Sequence, residues 1–500
     1  MPRRRGPLLL AAVLLIGACS AADQRTPEGS SSSTTRQRAS TTVEVEPPPS
    51  TTTTVALPPP VPVAWSPCGG GVQCGAVTVP IDYLDHAKGT LELAVVRRPA
   101  GDAARRIGTL VVNPGGPGAS GTSRVRRGFR ISDEIAARFD IVGFDPRGVG
   151  DSTPVMCGAS VPAFRAVDLA PDSPEEEAQL AATARAVADE CTATEGVRLG
   201  HLGTREVAHD LEVIRRSLGE PQISFVGLSY GTLIGLLWAE AHPTSVRALV
   251  LDGVVDPAAT ADATSIEQVT AIERSMGAID AACRDDPSCP LADAGGVLAA
   301  YDELARRIEA GETARRGISP TQLAYAVFSA TYGRDRWPLL WDALRRGLDG
   351  DLGGVAEMAD WFTSLVEYAP FAIVTCLDSR HPVGVDAWRT AADRAAAASE
   401  RFGRIAANEL LPCAHWPAGT YEPHPVSAPG VGPTLVIGST GDVATPFEQA
   451  ERVAAALAGG VLLTVDQAGH IAIDDSACVD DAVTRYLVDL AVPAPGSRCS

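Results

Sequence analysis

The sequence contains no Cys-x-x-Cys motif and no two histidines at helical spacing. Zinc sites are built from such closely spaced ligands, so no metal is expected. Basic charge is also short: 42 Lys and Arg stand against 61 Asp and Glu, a formal net charge of -19. Phosphate backbones are held by clustered cations, so a nucleic-acid partner is not expected. The apolar run from Leu8 to Ile16 falls short of the roughly 20 residues that span a bilayer. No internal repeat is evident. What is present is a chain of 500 residues, 45% of them hydrophobic. That is enough for two packed bodies and a tail.

The start of the chain, Met1-Pro2-Arg3-Arg4-Arg5, the apolar run and Gly17-Ala18-Cys19 together describe a secretory signal. Ile16-Gly17-Ala18-Cys19 resembles the bacterial lipoprotein box. On this reading residues 1–18 are removed, Cys19 is acylated, and the protein is extracytoplasmic and anchored to the cell membrane by lipid. Of the 37 residues from Thr26 to Pro62, 23 are Ser, Thr or Pro. Such a stretch buries too little apolar surface to order itself, so residues 19–64 are expected to form an extended tether. Ten cysteines remain: Cys68, Cys74, Cys157, Cys191, Cys283, Cys289, Cys376, Cys413, Cys478 and Cys499. An even number outside the cytoplasm suggests five disulfides. Nearest-neighbour pairing is one of the connectivities the count allows.

The most informative stretch is Ile223 to Thr232, ISFVGLSYGT. A β-branched and aromatic run ends in Gly-x-Ser-x-Gly and passes into an apolar helix. Strand, sharp turn and helix form the setting of a nucleophile elbow, in which two glycines leave Ser229 exposed above a sheet. Further apolar strands are expected near residues 75–82, 90–97, 108–112, 139–144, 246–251, 433–438 and 461–465. Alternating with helices, they indicate an α/β protein whose mostly parallel sheet is covered on both faces. Residues 155–200, bracketed by Cys157 and Cys191, read as a stapled helical insertion. From 256 to 430 strand–helix alternation gives way to alanine-rich amphipathic segments, the pattern of a helical cap. The core is then 65–255 and 431–500.

A serine needs a base, and the base needs an orienting group. His470, in Ala-Gly-His-Ile just after the last strand, is the expected base. Asp442, between a strand and a helix, is the expected acid. Asp252 competes with it, Asp466 and Asp474 lie close to His470 in sequence, and Asp474 reads as a helix start. A tetrahedral intermediate needs two backbone N–H donors. Tyr230, following the nucleophile, supplies one. The loop Asn113 to Gly118 supplies the other, with Gly116 favoured and Gly115 second. Asp145 to Ser152 reads as a structural turn with Arg147 buried and paired.

The combination NPGGPG, DPRGVGDS, GLSYG, GDVATP, GH and CVDDAVTRYLVDLAVPAPGSRC resembles the actinobacterial tripeptidyl-aminopeptidase-like α/β-hydrolases, relatives of the proline iminopeptidases. The lipobox is similar to that of the mycobacterial cell-envelope serine hydrolases in that group. The resemblance covers about residues 65–500, apart from the cap. It implies an α/β-hydrolase fold with no cofactor and hydrolysis of peptides or small esters through Ser229, Asp442 and His470. The expected function is a serine peptidase acting on short peptides or exposed N-termini. The alternatives are a carboxylesterase and a non-catalytic envelope-binding protein. An aminopeptidase would pair the substrate ammonium with a cap carboxylate, for which Glu357, Asp360, Glu367 and Asp378 are candidates.

Overall fold

The computed structural model describes residues 55–129, 131–312, 318–416, 419 and 421–500. The signal segment, Cys19 and most of the expected tether lie outside the described residues. Among the latter, a ten-stranded sheet forms in the order β1-β2-β3-β5-β4-β6-β7-β8-β9-β10. The strands are β1 Ser66–Pro67, β2 Gln73–Pro80, β3 Thr90–Arg98, β4 Gly108–Asn113, β5 Phe139–Phe144, β6 Ile223–Leu228, β7 Val246–Asp252, β8 Thr434–Ser439, β9 Gly460–Val465 and β10 Arg498–Cys499. β1, β2 and β3 run antiparallel into β5. From β5 to β10 every pairing is parallel. This is the α/β-hydrolase architecture; β2 to β9 fall on the apolar runs, while the two-residue strands β1 and β10 at the sheet edges were not expected.

β4 to β8 are buried along their length apart from one half-buried residue of β7, because helices cover both faces. On one face Phe225, Leu249 and Val436 pack with Leu211 and Trp238. On the other, Leu110, Val226 and Ile437 pack with Ile135 and Tyr486. The helix Gly231–Ala241 is apolar nearly all round because it is enclosed. Gly235 lets it approach the sheet: a Cβ there would come within 3.0 Å of the Phe225 ring.

The cap is made from two separated segments. Between β7 and β8 the chain forms helices from Ala261–Asp285 to Gly403–Asn408. Among them, Pro320–Ala330 opens with a reciprocal capping box between Ser319 and Gln322. The second segment is the insertion after β5. Its long helix Pro174–Glu195 starts from a Ser173 cap with three glutamates in the first turn, which suits the positive end of the helix dipole. Phe164, Leu180 and Cys191 share one apolar cluster with Ile279, Phe328 and Trp416. Trp416 Nε1 donates to the Ala188 carbonyl at 3.0 Å, and Asn408 Nδ2 to that of Leu169 at 2.8 Å. The stapled insertion, counted with the core segment 65–255 on the sequence reading, therefore packs as part of the cap.

Two expected boundaries shift. Residues 421–430, expected in the cap, belong to the core, since Tyr421 and Val426 share its apolar cluster and Tyr421 OH donates to the Pro257 carbonyl at 2.7 Å. At the other end, residues 55–64 are seated on the core rather than extended. Val63 N donates to the Ser217 carbonyl at 3.2 Å, Arg216 donates to the Pro58 carbonyl at 3.0 Å, and Leu57 and Val63 pack on the core. The few apolar residues within the proline-rich run are what attach it.

The ten cysteines are joined as Cys68–Cys74, Cys157–Cys191, Cys283–Cys289, Cys376–Cys413 and Cys478–Cys499. Arg147 is fully buried. Its Nε donates to Asp210 at 2.8 Å and its Nη1 to the carbonyls of Ile81 and His201, each at 2.8 Å.

Candidate active site

Ser229 closes β6 with φ at 54°, a left-handed conformation that non-glycine residues seldom adopt. Its neighbours explain how it is held. A Cβ at Gly227 would meet the Gly231 carbonyl at 2.5 Å, and one at Gly231 would meet that of Asn113 at 2.6 Å. Only a glycine on each side permits the turn. Ser229 N donates to the Asp252 carbonyl at 2.8 Å, and Thr232 N to the Ser229 carbonyl at 2.9 Å. The serine is thus pinned between sheet and helix and presented to a cavity of about 960 Å³ that His470 also lines.

His470 Nδ1 lies 2.8 Å from Asp442 Oδ2 and 3.0 Å from Oδ1. The carboxylate is fixed in turn by Ala444 N at 2.9 Å, Thr445 N at 3.0 Å and Thr445 Oγ1 at 2.9 Å. With Nδ1 engaged, Nε2 is the nitrogen left for the serine side. Burial disfavours the imidazolium, but the Asp442 charge and hydrogen bond, with Asp252 behind them, outweigh it and hold the His470 pKa above its ordinary value. Ser229 Oγ has no side-chain hydrogen bond among the described residues; in unliganded hydrolases this contact is commonly long and tightens with substrate.

The competing acids are placed elsewhere. Asp252 is fully buried, and its Oδ2 accepts from Ala472 N at 2.9 Å and Ile473 N at 2.8 Å. It therefore anchors the loop carrying His470, while burial pushes its pKa up to about 6. Asp466 pairs with Arg498 at the surface. Asp474 is not the helix start: the last helix begins at Ala477 behind Ser476, and Asp474 instead pairs with Arg124 at 2.7 Å.

Around the serine, Gly115 N donates to Asn113 Oδ1 at 2.9 Å. A Cβ on Gly115 would stand 2.7 Å from Tyr230 N. The glycine loop thus lies directly against the residue after the serine, and Gly116 and Tyr230 both line the cavity.

A family model described as TAP-like protein matches residues 398–499. Over 479 residues the chain is 33% identical to serine protease Hip1 of Mycobacterium tuberculosis, covering 88% of this chain and 91% of that protein. The tripeptidyl aminopeptidase of Streptomyces lividans is 30% identical over 449 residues, 86% of this chain and 84% of that one. Carboxylesterase B of M. tuberculosis is 36% identical over 454 residues, 86% of each. The chain belongs to the tripeptidyl-aminopeptidase-like α/β-hydrolases.

The cap of this hydrolase reaches down to the histidine. The Tyr332 ring stands edge-on to the His470 ring, centroids 5.5 Å apart. His470 N donates to the Tyr332 carbonyl at 3.3 Å, and Gly333 bridges Gly469. Of the carboxylates expected to read an ammonium group, Glu357 and Asp360 are exposed on the helix Gly353–Thr363 and do not line the cavity. Glu367 is exposed at its rim. Asp378 lines it but is already satisfied: it accepts from Thr204 N at 2.8 Å and from Tyr230 OH at 2.6 Å. Burial pushes its pKa up to about 6.

Sequence reasoning missed Glu409. It follows the helix Gly403–Asn408, lines the cavity and is half-buried. Among the described residues its carboxylate has only a long contact, Tyr325 OH at 3.4 Å, and burial pushes its pKa up. One signal pointed to it. Asp378 follows Cys376 by two residues and Glu409 precedes Cys413 by four, so the Cys376–Cys413 disulfide brings both carboxylates to one region.

Proposed function

We propose that the protein hydrolyses amide bonds of short peptides bearing a free amino terminus, through an acyl-enzyme. Ser229 is the nucleophile. His470 Nε2 takes its proton and later delivers it to the leaving amine, while Asp442 holds the ring and stabilises the imidazolium. The N–H groups of Tyr230 and Gly116 receive the developing oxyanion. Gly115 is the weaker choice because Asn113 already takes its donor.

The observation that carries the peptidase reading is Glu409. A carboxylate directly after a helix C-terminus meets the negative end of the helix dipole. Without a close partner it is suited to a cation brought by the substrate. The names of the serine protease and aminopeptidase relatives support the same reading. Ser229→Ala should abolish cleavage of peptide-amide reporters, leaving at most the ~10³–10⁴-fold over water that an intact oxyanion hole retains. Cleavage undiminished by that change would sink the assignment. A carboxylesterase acting on small acyl esters is the second reading, favoured by the relative of that name. It prevails if short acyl esters are turned over and no peptide is.

We further propose that the protein is extracytoplasmic and lipid-anchored through Cys19. Five disulfides are in keeping with an oxidising compartment. Mass spectrometry of the N-terminal peptide from membranes should find Cys19 diacylglyceryl-modified. An unmodified Cys19 there would refute the anchor.

A further inference from the structure

The cavity holds a second charge that the hydrolytic reading does not use. Arg165, on the short cap helix Val161–Ala166, lines it opposite in sign to Glu409. The guanidinium carbon lies 5.1 Å from the centre of the Tyr368 ring. Nη1 reaches the Thr363 carbonyl only at 3.5 Å, and Nε is buried with no hydrogen-bond partner. No carboxylate among the described residues forms an ion pair with it. This contrasts with Arg147, whose buried guanidinium is saturated by Asp210 and backbone carbonyls.

Glu409 is near enough for Arg165 to counter part of the burial that raises its pKa, yet the two are not paired. Tyr368 touches both residues: its ring faces Arg165 and its OH donates to the Glu409 backbone carbonyl. A guanidinium drawn partly out of water without a counter-ion is costly. Its planar fork matches a carboxylate in two parallel hydrogen bonds.

We propose that Arg165 is a specificity-determining residue that binds a carboxylate of the substrate. The cavity then takes a zwitterionic peptide, with the ammonium at Glu409 and the carboxylate at Arg165. This rests on the peptidase reading for the identity of the substrate, but not for the charge that Arg165 selects. The carboxylate can come from an acidic side chain or from the C-terminus of a short peptide.

The test measures kcat/KM for matched peptides: a glutamate against an alanine at each position of one short sequence, and a free against an amidated C-terminus. Wild-type protein should prefer one carboxylate-bearing member, and which one identifies the source. Arg165→Gln should reduce that preference by about ten- to a hundred-fold, as expected for a hydrogen bond between charged groups. The loss should appear mainly in KM, and Arg165→Lys should restore part of it. Equal losses on the acidic and neutral members, or no preference in the wild type, would overturn the proposal. Should no peptide be cleaved, p-nitrophenyl hemisuccinate against p-nitrophenyl butyrate makes the same comparison, and an unchanged ratio in Arg165→Gln overturns it equally. Melting temperature and the rate of fluorophosphonate labelling check that the variant is folded.

Discussion

The core and the cap supply the same cavity in different ways. In the core, Ser229, Asp442 and His470 each follow a strand end and are held by backbone and side-chain hydrogen bonds close to the sheet. In the cap, Tyr332, Asp378 and Glu409 each follow the end of a different helix and come together only through tertiary packing and a disulfide. The difference teaches where chemistry and selectivity reside. A parallel sheet brings its strand ends to one edge whatever the loops contain. A cap can change its helices, and so the substrate it admits, without disturbing that edge.

If this division holds, core substitutions should remove turnover and cap substitutions should redistribute it. The largest effect is expected at Asp442. Asp442→Asn leaves the shape but loses the charge and favours the wrong imidazole tautomer, so kcat should fall about 10⁴-fold. Asp252→Asn should cost far less, because Asp252 holds the backbone of Ala472 and Ile473 and not the ring of His470. Steady-state kinetics on both variants checks this. A greater loss at Asp252 would move the acid to β7.

Tyr332 is where the division is weakest, since a cap residue touches His470 of the core. Edge-on aromatic pairs contribute ~0.5–1.5 kcal/mol. Tyr332→Ala should therefore lower kcat by roughly ten-fold at most, whereas Tyr332→Phe keeps the ring and should retain most of it. If Phe is as impaired as Ala, the phenol rather than the ring matters, and the cap contributes chemistry as well as shape.

The same contrast explains what the sequence disclosed. The strands and the elbow were legible because β-branched runs ending in glycine-rich turns leave few local alternatives. The meeting of His470 with Asp442 was legible because each follows a strand at a fixed place in the chain order. The cap's helices could be read, but not which faces they join. Glu357, Asp360 and Glu409 are all glutamates or aspartates in or beside amphipathic helices, and only packing separates the exposed pair from the one that lines the cavity. The joining of residues 155–200 to the cap was invisible for the same reason: contacts such as Trp416 to Ala188 span more than 200 positions. The seating of residues 55–64 depends on Leu57 and Val63, too few to stand out in a Ser/Thr/Pro-rich background.

The central claim is that a catalytic core is made selective by a charge in the cap. It is tested most directly by hydrolysis of one peptide-amide reporter with a free or an acetylated amino terminus, using wild-type protein and Glu409→Gln. The account predicts that the wild type strongly favours the free terminus. In Glu409→Gln that preference should fall by about ten-fold or more, the scale of a charge-assisted hydrogen bond, while fluorophosphonate still labels Ser229. Equal rates on both reporters in the wild type, or a preference that survives the loss of Glu409, would contradict it.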